Sequence, residues 1–215
     1  MKMDLTGKLY VIAAPSGAGK TSLVEALVES SSDLNVAVSH TTRPRRPHEQ
    51  DGVNYHFVSP ASFTRMREKG EFVEYARVFD NHYGTSWSAI HTILETGKDI
   101  ILEIDWQGAS QILEVMPGCI SIFILPPSLE TLKSRLQQRG QDDSDIIEQR
   151  MNAAVDEISH FGEFDFLVVN DNFDIALADL KSIINGHGGH LSSATQRKNL
   201  HILLNSLLST VPIIR

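Results

Sequence analysis

Four stretches of the chain are apolar at nearly every position: KLYVIAA (8–14), DIILEID (99–105), CISIFILP (119–126) and FLVVND (166–171). Runs of this kind predict strands buried on both faces, as in a parallel sheet covered by helices. Further apolar, β-rich runs stand at NVAVSH (35–40), NYHFVS (54–59) and FVEYARVF (72–79). Between the strands the apolar spacing becomes helical. TSLVEALVESS (21–31) carries Leu23, Ala26, Leu27 and Ser30 on one face, and SLETLKSRLQQR (128–139) carries Leu129, Leu132 and Leu136. SDIIEQRMNAAVDEISHF (144–161) carries Ile147, Met151, Ala154, Val155 and Ile158. Strand and helix alternating in this way predict an α/β layered fold with right-handed crossovers.

Segment 36–93 breaks that rhythm. It holds short strands, three prolines and a dense mix of His, Tyr, Arg and Thr, and it reads as an insertion over the sheet edge. The tail carries Leu200, Leu203, Leu204, Leu207 and Leu208 at helical spacing, the pattern of a packing or self-association helix, so a homo-oligomer is one reading. With 215 residues, 41% of them hydrophobic, the chain can bury a sizeable core as one domain with small insertions. Its 27 Asp and Glu against 19 Lys and Arg give a net charge of −8, which argues against a nucleic-acid or anionic-membrane partner. Cys119 is the sole cysteine, which excludes a disulfide framework and a multi-cysteine metal site. No run reaches the roughly 18 consecutive apolar residues of a membrane span. The expectation is a soluble, cytoplasmic protein.

Candidate chemistry enters at IAAPSGAGKTS (12–22). Ala14, Pro15, Ser16, Gly17, Ala18, Gly19, Lys20 and Thr21, with Ser22 following, fit the phosphate loop of a nucleoside-triphosphate site such as one for ATP. Small residues let successive backbone N–H groups turn inward around a polyphosphate, and the helix that follows adds its positive end. Lys20 brings a point charge to the outer phosphates, and the Thr21 hydroxyl is the candidate Mg²⁺ ligand. Ala14 stands where the pattern has glycine, a departure that matters only if that position needs φ > 0. Glu103 and Asp105 point to one side of the next apolar strand. Asp105, at its end, is the candidate for holding a Mg²⁺-bound water; the alternative is an acid capping the following helix.

The acceptor has to come from elsewhere. SHTTRPRR (39–46) supplies Arg43 and Arg46, close enough to converge on one phosphate through paired guanidinium donors. Three arginines clustered on an acidic chain fit a single bound phosphate better than a long polyanion. Arg135 and Arg139 are four residues apart and share a helix face. Arg150 lies beyond GQDDSDIIEQ (140–149), a polar, acidic stretch with the character of a moving lid. Together the three can set positive charge over a transferring phosphoryl group.

APSGAGKTS, SHTTRPRRPHEQDGVNYHFVS, GEFVEYARVFDNHYGTS, ILEIDWQGA, FILPPSLETLKSRLQQRG and VVNDN together resemble guanylate kinase of the bacterial type, in order and spacing over residues 8–184. The resemblance implies a phosphate-loop three-layer α/β fold with a central parallel sheet. It implies a core (1–35, 94–136 and 151–190), a GMP-binding subdomain (36–93), a short lid (137–150) and a C-terminal extension (191–215). The implied reaction is ATP + GMP ⇌ ADP + GDP with Mg²⁺, dGMP being a further acceptor. Glu74 takes the family's guanine-reading position, with Ser39 and Thr85 as hydroxyl partners. Arg43, Arg46, Tyr55 and Tyr83 take the GMP-phosphate positions, and Asp105 lies near the guanine as well as the metal. Lys20, Arg43, Arg135, Arg139 and Arg150 are the implied catalytic cations. Two rival readings remain: a phosphopeptide-reading module of the same fold, and a kinase for another phosphorylated acceptor. Intact Gly19, Lys20 and Thr21 speak against the first, and the Ser39–Glu74–Thr85 set against the second.

Overall fold

The computed structural model describes residues 7–138 and 144–209. Along the chain come β1 (Leu9–Ala13), α1 (Lys20–Glu29), β2 (Leu34–Val36), β3 (His40–Thr41), β4 (His56–Phe57), α2 (Pro60–Glu68), β5 (Phe72–Val78), β6 (Asn81–Ser86) and α3 (Trp87–Leu94). They continue as β7 (Asp99–Glu103), α4 (Trp106–Val115), β8 (Ile120–Leu125), α5 (Leu129–Gln138), α6 (Ser144–Ser159), β9 (Phe166–Val169), α7 (Phe173–Ile184), α8 (Ser193–Asn199) and α9 (His201–Leu208). The chain forms two compact units: Met1–Val11 with Ser31–Ile120, and Ile12–Ser30 with Ser121–Arg215.

The first unit carries β2, β7 and β1 side by side, and β2 and β7 run parallel from Leu34↔Asp99 to Val36↔Ile101. Tyr10, Val11, Ile100, Ile101 and Leu102 are fully buried, and α3 covers β7 with Ile90 and Leu94. This is the two-faced burial that the continuous apolar runs predict. Residues 36–93 build a second sheet in the same unit, ordered β4-β3-β6-β5. Its centre is Phe63 of α2, stacked on Phe72 at 4.5 Å and on His82 at 5.3 Å between ring centroids. Three helices without a strong sequence pattern start at clear caps: the side chains of Ser59, Ser86 and Asp105 accept the N–H of Ser62, Ala89 and Gly108. The apolar run 35–40 divides between β2 and β3, and 54–59 shortens to two residues of strand.

The second unit carries the end of β1 (Ile12–Ala13), β8 from Ser121 and β9, with β8 and β9 parallel from Ile122↔Phe166 to Leu125↔Val169. Helices α1 and α7 pack together through buried Leu23, Leu27, Ala176 and Leu180. The tail leucines find partners here. Leu204 and Leu207 are buried as α9 packs on α6, and Arg197 holds the Gly162 carbonyl at 2.9 Å. The expected α/β fold around a central parallel sheet is the one observed. Arg139 and residues 139–143 of the expected lid lie outside the described residues. Among the described residues no helix is long and apolar enough to cross a membrane.

Candidate functional site

In the first unit a bulge sets the chemistry. Phe72 faces Ser86 across the β5–β6 ladder, yet Glu74 faces Thr85, so one extra residue sits on β5. A bulge re-aims the side chains around it, and Phe72, Val73 and Glu74 are all buried in succession. Glu74 is only 2% exposed. Thr85 Oγ1 donates to Glu74 Oε1 at 2.5 Å, and the Thr85 and Ser39 hydroxyls lie 2.9 Å apart. A hydroxyl has one proton. Thr85 gives its own to the carboxylate, so Ser39 donates to Thr85 and the chain of three points toward Glu74. Burial of a carboxylate demands such partners.

Helix α4 completes this corner. A Cβ on Gly108 would stand 2.4 Å from Glu74 Oε2, so any larger residue there would have to displace the carboxylate. Asp105 Oδ1 accepts the Gly108 N–H at 2.9 Å and caps the helix, the role its strand-end position left open. Gln111, one turn further along, accepts the Tyr75 N–H and donates to the Tyr75 carbonyl, pairing the outer edge of β5.

Arg43 and Arg46 converge on a residue that the sequence reading missed. Arg43 Nη2 donates to Glu49 Oε1 at 2.6 Å, and the backbone N–H of Arg46 donates to Glu49 Oε2 at 2.8 Å. Burial alone would raise the Glu49 carboxyl, but these donors outweigh it and hold it below its ordinary value. The Arg43 guanidinium lies 5.7 Å from the Tyr55 ring centre and 5.8 Å from that of Phe57, and Tyr55 meets Tyr83 edge-on at 5.8 Å. Burial first, then the charge of Glu103, push the Tyr55 phenol above its ordinary value, so it remains an O–H donor at neutral pH. His40, beside Ser39, lies against His56 with tilted rings 4.7 Å apart, and burial followed by that neighbour holds it below the usual histidine value.

In the second unit β1 runs into the loop. Gly17 and Gly19 have φ of 93° and 91°, the left-handed region that glycine enters without a Cβ penalty. Phe79 is the sole non-glycine with positive φ among the described residues, so Ala14 fits its position without strain. Gly19 starts α1 with no side-chain cap, and no acid stands in the first turn. Such an end suits an anion. Lys20 is half-buried and Thr21 exposed on that turn, with Ser22 exposed next to it. A buried clamp backs the loop. Asn170, 4% exposed, donates from Nδ2 to the Ala18 carbonyl at 2.7 Å, and a Cβ on Gly19 would meet Nδ2 at 2.4 Å. Arg135 donates to the Ala18 carbonyl at 3.3 Å and to the Asn170 carbonyl at 2.9 Å. Arg150 donates to Ser16 Oγ at 3.4 Å. The structure thus brings Arg135 and Arg150 to the loop.

A glycine-bent loop between a buried strand and a helix that opens on Lys-Thr defines the class: an α/β protein of the phosphate-loop nucleotide-binding type. The guanylate kinase family profile matches residues 6–187. A guanylate kinase of Alkalilimnicola ehrlichii is 58% identical over 183 residues, covering 85% of this chain and 90% of its own. One from Nitrosococcus oceani is 52% identical over 204 residues, covering 95% of this chain and all of its own. A crystal structure of guanylate kinase from Anaplasma phagocytophilum superposes with a TM-score of 0.70 at 29% identity, covering 93% of this chain and 96% of that one. The chain belongs to the guanylate kinase family, a family of ATP:GMP phosphotransferases.

Proposed function

We propose that this chain carries out its family's reaction, ATP + GMP ⇌ ADP + GDP, with the two nucleotides held by the two groups of residues described above. The observation that carries the acceptor assignment is the buried Ser39–Thr85–Glu74 chain. Guanine offers N1–H and N2–H₂ as donors beside the O6 acceptor, so one carboxylate can take both donors while a hydroxyl turns to O6. Adenine would bring an acceptor at N1 to the same carboxylate and leave it unpaired. Sites built on hydrogen bonds reject such mismatches by about 10⁴-fold or more. Asp105 contributes by fixing the start of α4, where Gly108 leaves room for Glu74.

Arg43 and Arg46 bind the acceptor's phosphate, with Tyr55 and Tyr83 as O–H donors, and Glu49 holds the guanidinium groups ready. The loop of residues 14–22 cradles the donor's phosphates through those of its main-chain amides that are not bonded within the protein, and Lys20 neutralises the charge that gathers on them. Arg135 and Arg150 add positive charge from behind and beside the loop. The acceptor is an anionic phosphate oxygen, so positioning and charge neutralisation suffice without a general base. Mg²⁺ suits the donor set. Among the described residues no group of three or more His, Cys, Asp or Glu could hold a metal, and the first turn of α1 offers the exposed Thr21 hydroxyl next to Lys20. That matches an ion held by one or two protein groups and otherwise by phosphates and water. Thr21 would hold it, and it would supply charge neutralisation on the phosphates.

A panel of acceptors (GMP, dGMP, AMP and ribose phosphates) with ATP tests the reading. Wild type is expected to use GMP at least about 10³-fold better than AMP. Glu74→Gln is expected to lose about 10²-fold or more in kcat/KM for GMP with the KM for ATP unchanged. Equal losses for both substrates would remove Glu74 from the acceptor site.

A further inference from the structure

Helix α6 grips one residue of the loop at two points. Glu157 Oε2 accepts the Ser16 N–H at 2.9 Å, while Arg150 reaches the Ser16 hydroxyl. Seven residues, two helical turns, separate Arg150 from Glu157, so both lie on one face of α6. The bond to Glu157 is unusual for such a loop. A phosphate loop presents its amides to an anion, and an amide held by a carboxylate is withdrawn from that set. A carboxylate there would also repel a triphosphate arriving at the same N–H. Its chemistry therefore suits anchoring the loop rather than touching the substrate.

We propose that Glu157 is a positioning residue. It ties α6 to the main chain of the loop at Ser16 and so fixes where Arg150 stands beside the phosphates. This rests on reading residues 14–22 as the ATP loop. The main-chain anchor does not depend on the side chain at position 16, whereas the arginine contact does. Loss of Glu157 leaves Arg150 present but free to drift along the loop, which lowers turnover while sparing the acceptor.

The test uses the full chain and four variants: Glu157→Met, which keeps the bulk and removes the acceptor, Glu157→Gln, which keeps an acceptor oxygen, Arg150→Met, and the double variant with Glu157→Met. Glu157→Met is expected to lose about 10-fold in kcat with the KM for GMP within twofold. Glu157→Gln is expected to recover most of that loss. The double variant is expected to be no slower than Arg150→Met alone, because the two residues act as one unit. Wild-type kcat in Glu157→Met, a Gln variant as slow as Met, or losses that multiply in the double variant would each overturn the proposal. Should Glu157→Met fail to fold, exchange of the Ser16 amide proton in wild type decides. Protection supports the anchor and free exchange refutes it. Lys20→Ala in the same assay separates the two levels. If it keeps turnover, the loop reading itself fails; if it is dead while Glu157→Met runs like wild type, only the role of Glu157 fails.

Discussion

The two units hold their candidate groups in opposite ways. In the first, side chains of Ser39, the 42–55 stretch, β5 and β6 bond one another, and α4 contributes glycine at the point of closest approach. In the second, nine consecutive residues do the work through their main chain, with Asn170, Arg135 and Glu157 bonded to that main chain. The difference follows from what is recognised. A phosphate asks only for N–H groups and charge, which any backbone with the right φ can present. A base edge asks for a particular order of donors and acceptors, which only chosen side chains supply.

Two glycines turn that comparison into an experiment, since each has a neighbour 2.4 Å from where a Cβ would stand. Gly19→Ala forces a left-handed alanine, a strain of about 1–2 kcal/mol, and drives a methyl into Asn170. It is expected to cut kcat/KM for ATP by about 10²-fold or more, with GMP affinity measured by calorimetry unchanged. Gly108→Ala should do the reverse. Helix propensity favours alanine by about 1 kcal/mol, but the methyl meets the Glu74 carboxylate. A smaller loss, about 10-fold to 10²-fold, is expected in kcat/KM for GMP, with the KM for ATP spared. If either variant weakened both substrates alike, the division between units would be wrong.

The smallest expected effect belongs to Glu49. Its folded pKa lies below the ordinary 4.5, so the ionised group adds stability above about pH 4.5 that is lost as pH falls through the folded value. Glu49→Gln should therefore lower stability by about 1 kcal/mol at pH 7, and the gap to wild type should close below pH 4.5 in thermal melts. A gap that does not narrow at all as pH falls below 4.5 would mean packing, not charge, is what Glu49 supplies.

How much could be read beforehand follows the same division. The loop is contiguous, so residues 14–21 declare it, and the flanking strand and helix fall within two residues of their expected bounds. The acceptor side is scattered. Ser39, Glu74 and Thr85 were nameable only through resemblance, and NHYGTS gives no strand pattern because Gly84, Thr85 and Ser86 fill the buried positions of β6 with small or polar groups. Glu49, Gly108, Glu157 and the role of Asn170 were invisible for another reason. Gly108, Glu157 and Asn170 act on partners far along the chain, which no local period or spacing marks, and Glu49 meets Arg43 and Arg46 through the fold of an irregular loop that has no period at all. Helices α2, α3 and α4 escaped because their signals are single capping residues rather than long apolar faces.

The central claim is that separate residues hold donor and acceptor. Calorimetric titration of GMP, and of a non-hydrolysable ATP analogue with Mg²⁺, into wild type, Lys20→Ala and Glu74→Gln tests it most directly. The account predicts that Lys20→Ala loses the ATP analogue and keeps GMP, while Glu74→Gln loses GMP and keeps the analogue. Loss of both ligands in either folded variant would contradict it.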